Sequence, residues 1–288
     1  MDTLHEYGKA LHLVKFYPLF TAVIYYVFVF TVAEFIRREI EKTKIPQKHP
    51  YITRVVFEFI ATMQMCACVY ENGVILRNYG VPGFFVVVVL LLLSAGSWNR
   101  GAAVNPIPII KEVHDNKIDL LLGGSLIAVQ FAGAAASSYI AYGIWHVSYD
   151  YFLEHRHFYH KLPCAFNYHV PFLAVVAWEF FGNFLIYAIG ARLGERKRYA
   201  MPVLVSLLLS IAFVYIGVPG LNPITTTGRM FNCKGLNDQW FIFTYCLIPL
   251  FAAYVATYFD PQPAPEAPPK PKKYKKQYWK PKGGKKNN

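Results

Sequence analysis

Two neutral carboxamides 117 residues apart carry the clearest chemistry in this chain: Asn105-Pro106-Ile107 and Asn222-Pro223-Ile224. Asn followed by Pro marks a helix start, with Asn as the N-cap and Pro at the first helical position. A single copy would be read as an ordinary capped helix. Here each copy follows a long apolar stretch, in the contexts GAAVNPIPII and GVPGLNPITT. The expected arrangement is two short helices that enter a bilayer and meet midway. Each helix presents about half an elementary positive charge at its N-terminus, so both positive ends point at the bilayer centre. A water held there turns its oxygen to the Asn105 and Asn222 amides and its hydrogens outward. That orientation breaks the chain along which a proton hops, and the paired dipoles oppose cations.

Such half-helices need a membrane scaffold, and the composition supplies one. Hydrophobic residues make up 55% of the 288 and mean hydropathy is +0.28. Apolar runs near the roughly 20 residues needed to cross a bilayer occur at 14–36, 51–71, 82–98, 119–143, 169–191, 199–217 and 239–259. The net charge of +12 does not indicate nucleic acid, because nine of the 29 Lys and Arg lie beyond residue 269, in a tail. Basic residues at 37–50, at 192–198 and in that tail place these three segments on the cytosolic side, while 72–81 carries only Arg77 and 144–168 only Arg156 and Lys161. Seven crossings then leave the N-terminus outside. The segment 14–36 is too long an apolar core for a signal peptide and is read as an extra span.

An internal repeat organises the rest. FEFIATMQMCACV around Glu58 is matched by WEFFGNFLIYAIG around Glu179 at an offset of 121, and Gly133-Ala134 by Ala252-Ala253 at 119. Each unit reads span, span, half-helix, span. Three crossings per unit invert the second copy, an architecture common in transport proteins. The expected organisation is therefore an extra span and basic linker at 1–50, a channel domain at 51–259 (repeats 51–143 and 169–259), and a disordered Pro/Lys-rich tail at 260–288.

The chain resembles the aquaporin (major intrinsic protein) family over roughly 51–259. The resemblance rests on Glu58 and Glu179, on Gln130-Phe131-Ala132-Gly133-Ala134, on the two Asn-Pro-Ile boxes and on a final span with Pro249-Leu250-Phe251-Ala252-Ala253. It is closest to the unorthodox superaquaporin subgroup, with Cys233 nine residues beyond Ile224 and an additional N-terminal hydrophobic segment. The resemblance implies an all-α membrane protein with six transmembrane helices and two half-helices, plus the extra N-terminal helix. It implies a passive channel, not an enzyme, that needs no cofactor and is assembled as a homotetramer in the bilayer. Glu58, Glu179 and Gln130 would support the boxes, and Cys233 would be structural. Where the family's boxes end in Ala, both end here in Ile107 and Ile224, which either narrow the midpoint or push the half-helices apart. The narrow filter would comprise Phe85, Ser210, Pro219 and Thr225, with Thr225 in place of the family's Arg. A wider, less polar constriction follows, passing glycerol or hydrogen peroxide besides water.

The remaining features have plainer readings. His155, His157 and His160 form a run that can ligate zinc and would support a membrane-bound metalloenzyme, but no acidic or Cys partners stand at firm spacing, so a solvated loop is expected. A coupled secondary transporter is the other rival, since inverted repeats serve there too. A closed pore with a structural role also fits the two Ile substitutions. Arg54, one helical turn before Glu58, is a candidate partner for it. Cys66, Cys68 and Cys246 read as core residues, and a Cys164–Cys233 bridge is geometrically possible. The last four residues, Lys285-Lys286-Asn287-Asn288, resemble a dilysine retrieval signal and point to the endoplasmic reticulum or another intracellular membrane.

Overall fold

The structure, a computed structural model, describes the backbone of residues 2–259 and the side chains of 15–259. Helix α1 (Asp2–Lys42) leads through a short turn, α2 (Ile45–Lys48), into α3 (Pro50–Trp98). Then come the short α4 (Pro106–His114), α5 (Leu120–Val147), α6 (Leu153–Lys161) and α7 (Phe172–Gly190). The chain continues with α8 (Lys197–Ile211), extended by a π-helical turn at Ala212–Ile216, and the short α9 (Pro223–Met230). It closes with α10 (Asp238–Ile242), joined through a second π-helical turn (Phe243–Leu247) to α11 (Ile248–Thr257).

Among the described residues, six helical stretches are long and apolar enough to cross a membrane. One of them, α3, has 49 residues, which at 1.5 Å per residue is more than twice the ~30 Å of a bilayer core. It folds back at Gly80, where φ is 63° and ψ is −163° just ahead of Pro82. This left-handed geometry suits a residue without Cβ. The reversal is close: a Cβ on Gly83 would lie 2.5 Å from the Tyr79 Cβ and 3.4 Å from Ile75. Tyr79 donates to the Lys15 carbonyl (2.6 Å), at one end of the described part of α1, whereas Trp98 packs on Phe30 and Asn99 approaches Arg37 near the other end. Two antiparallel arms, 50–79 and 81–98, therefore replace one helix.

Helix α1 packs along the first arm of α3. Tyr25 donates to the Ala67 carbonyl (3.1 Å) and Tyr26 to Asn72 (2.7 Å), inside the largest apolar cluster. Arg37, placed by the sequence reading in a basic connection, instead lies within α1 and is fully buried. It donates to Gln64 at 2.6 Å and to Asn99 at 3.4 Å. A buried guanidinium needs acceptors, and these two uncharged side chains tie α1 to both arms of α3. Phe166, Phe241 and Tyr245 build a second, aromatic cluster around the loop that precedes α7. A disulfide joins Cys164 to Cys233 there, with the Cα atoms 4.9 Å apart.

Candidate functional site

Each Asn-Pro pair starts a short helix as its residue types dictate. Asn105 is extended (φ −161°, ψ 132°) and its side-chain oxygen accepts from the Ile107 amide at 3.0 Å. Asn222 (φ −140°, ψ 113°) does the same for Ile224 at 2.9 Å. Pro106 and Pro223 occupy the first helical turn, where no amide hydrogen is missed. The far ends of the two helices lie at opposite ends of the α3 arm. Glu112 of α4 pairs with Arg54 (2.5 Å), while the Gly228 carbonyl of α9 accepts from Tyr70 (2.7 Å). Between those two anchor points, 16 residues of helix span about 24 Å. The tips meet: Asn222 Nδ2 donates to the Val104 carbonyl at 3.0 Å. Arg54 thus pairs with Glu112, not with Glu58 as its spacing suggested.

The residue before each Asn is left-handed, Val104 at φ 51° and Leu221 at φ 65°, and these two positions are also 117 apart. For a residue with a Cβ this costs about 1–2 kcal/mol, so something must hold the backbone there. Glu58 does so in the first repeat, accepting from Val104 N (2.7 Å) and Ala103 N (3.0 Å). Gln130 donates both to Glu58 (2.7 Å) and to the Asn105 carbonyl (3.1 Å). Glu179 accepts only from Leu221 N (2.9 Å) in the second repeat, and its other oxygen is buried without a partner. Gly220 is required beside it, since a Cβ there would sit 2.1 Å from Glu179 Oε1. Both carboxylates are fully buried, so these amide donors are what offsets their desolvation.

The two Ile side chains belong to the scaffold. Ile224 is fully buried against Cys66 and Ala134, small residues that leave room for it. Ile107 is also buried, and neither lines the main cavity. The half-helix tips remain within hydrogen-bond distance, so the extra bulk has not pushed them apart.

That cavity has a volume of about 510 Å³ and opens from Asn222 toward the Cys164–Cys233 side. Of the four residues expected at the filter, Pro219 and Thr225 line it, but Phe85 and Ser210 do not. Phe84 and Phe213 also line it, with ring centroids 4.8 Å apart at 81°. Ser210 is buried and spends its hydroxyl on the Ser206 carbonyl. The cavity also carries fixed positive charge. Arg229, one helical turn beyond Thr225, lines the cavity, donates to the Pro163 carbonyl (2.6 Å) and sits over the Tyr70 ring. Arg77 and His157 line it as well. Burial, and then Arg77, hold the His157 imidazole below the ordinary histidine range.

The histidine run is not a solvated loop. It forms α6, and His155 is buried, with Nδ1 2.5 Å from Ser148 Oγ and Nε2 3.2 Å from Glu71 Oε1. Trp145 Nε1 donates to the other Glu71 oxygen at 2.8 Å. His160 meets Tyr149 (2.7 Å), away from this network. Among the described residues no three His, Cys, Asp or Glu side chains come together in a metal-holding group. Glu71 was missed in the sequence, although a carboxylate at the end of an apolar run was signal enough to seek a buried partner. Cys66, Cys68 and Cys246 are free thiols. The tail and its dilysine-like end lie outside the described residues.

No family model matches the chain. It is 32% identical over 252 residues to the protein named "Putative aquaporin-10" of Caenorhabditis elegans, covering 87% of this chain and 89% of that one. It is 21% identical over 244 residues to aquaporin-11 of Milnesium tardigradum, covering 83% and 86%. With an all-helical described chain, six membrane-crossing stretches and similarity along most of its length, the chain belongs to the aquaporin family, a family of membrane channels rather than enzymes.

Proposed function

We propose that the protein passes water and small neutral solutes, such as glycerol or hydrogen peroxide, along a path running past Asn222 and Asn105, and that it rejects protons and cations. The observation that carries this reading is the bond from the Asn222 amide to the Val104 carbonyl. It brings two helix starts together, with Asn222 on the wall of the cavity. Two aligned positive helix ends repel cations, and neutral amide donors orient water without offering it a titratable site. Phe84, Phe213, Pro219 and Thr225 form the constriction in this reading. The cavity, at about 510 Å³, has room for a solute of glycerol's size, and its wall is largely apolar, which supports including glycerol in this reading. A homotetramer with one pore per subunit, and retention in an intracellular membrane through the terminal lysines, belong to the same proposal.

Osmotic swelling of proteoliposomes provides the test, comparing the chain with Asn222→Asp at matched protein content. A carboxylate cannot donate to the Val104 carbonyl and repels it, so water flux is expected to fall at least tenfold. Glycerol uptake is measured on the same vesicles. Swelling no faster than empty liposomes, or unchanged by Asn222→Asp, would refute the reading.

A further inference from the structure

The cavity on the disulfide side carries an unbalanced charge. Its ionisable lining residues are Arg77, Arg229 and His157, with no Asp or Glu among them. Neither arginine is paired with a carboxylate among the described residues. Arg229 spends one nitrogen on the Pro163 carbonyl and stacks on Tyr70, and Arg77 stands exposed at the rim. Asn222 and Thr225, at the start of α9, add the positive end of that helix to the same space. A concave wall of low polarity concentrates such a field and raises the local level of anions.

The rest of the wall is apolar, with Phe84, Phe158, Phe213 and Leu76 facing the same volume. Guanidinium groups match a carboxylate with paired, parallel hydrogen bonds, and the apolar wall suits a short alkyl chain. We propose that this vestibule is a binding site for short-chain monocarboxylates, with the carboxylate held between Arg229 and Arg77 and the alkyl chain against the phenylalanines. The site goes beyond the neutral-solute reading, because its ligand is an anion and its occupancy does not require conduction. A bound carboxylate also stands between the mouth and Asn222, so it obstructs the entry of neutral solutes.

The test uses the full chain purified in neutral detergent, with calorimetric titration of sodium butyrate, sodium acetate, butyramide and sodium chloride at constant ionic strength in a chloride-free buffer. Butyrate is expected to bind at least tenfold more tightly than butyramide, which has nearly the same shape but no charge. Each methylene removed should weaken binding about threefold to fourfold, leaving acetate about tenfold weaker. Arg229→Gln should weaken butyrate at least tenfold and Arg77→Gln at least threefold. Should the Arg229 variant fail to fold, Arg77→Gln still decides, because the exposed Arg77 side chain can be changed without disturbing packing. Equal affinity for butyrate and butyramide, chloride binding as tightly as butyrate, or full affinity in the Arg77→Gln protein would each overturn the proposal. Binding is read without flux, so a non-conducting channel would leave this result unaffected.

Discussion

The two buried carboxylates differ in a way that makes a sharp prediction. Glu58 accepts three hydrogen bonds, from Ala103 N, Val104 N and Gln130 Nε2. Glu179 accepts one, from Leu221 N, and leaves its second oxygen without a partner. In Glu58→Gln the amide oxygen can take over the Val104 and Gln130 bonds, but the new NH2 faces the Ala103 N–H. One buried donor is then unmet, at about 1–3 kcal/mol, and two charge-assisted bonds become neutral, at about 1 kcal/mol each. Easier burial of the neutral side chain returns part of this, leaving a net loss of ~3 kcal/mol. In Glu179→Gln the oxygen keeps the Leu221 bond and the NH2 occupies the partnerless position, so the net loss stays within ~1 kcal/mol. At about 2–4 °C per kcal/mol, thermal unfolding should fall by ~6–12 °C for Glu58→Gln and by no more than ~4 °C for Glu179→Gln. Tryptophan fluorescence melts of both variants in one detergent measure this. Equal shifts, or a larger one for Glu179→Gln, would refute the assignment of the main support to Glu58.

Other outcomes follow from the same geometry. The Cys164–Cys233 bridge closes a separation of 69 residues and should contribute roughly 4 kcal/mol; reductant should lower the melting temperature of the native chain but not that of the Cys164→Ser, Cys233→Ser double variant. Ile224→Ala should lose about 2–5 kcal/mol, as a large-to-small change in a packed site does, with no gain in glycerol flux; a rise in glycerol uptake would mean that Ile224 bounds the path. For His157, burial and Arg77 depress the folded value, so the unfolded chain takes up the proton first as pH falls. Its contribution to stability is present above the ordinary histidine range and is lost as pH drops through the depressed value. NMR titration should place its midpoint below that of a free histidine, and Arg77→Gln should move it part of the way back.

Much of the architecture was legible because it depends on short-range rules. Apolar run length sets the spans, Asn before Pro sets the two helix starts, and a glutamate 121 residues from its counterpart reveals the repeat. The tertiary structure alone decided which side chains face the cavity. Adjacent residues on a helix point about 100° apart, and a π-helical turn at Ala212–Ile216 alters the register there, so Phe84 and Phe213 line the cavity whereas Phe85 and Ser210 do not. The positive charge absent at Thr225 reappears one turn later at Arg229, which matters only because the chain folds Pro163 and Tyr70 around it. His155 and Glu71 are 84 residues apart, and Cys164 and Cys233 are 69 apart. Spacing within one element cannot bring such pairs together. Their contact exists because helix packing brings distant segments of the chain together, where buried polar groups must find partners.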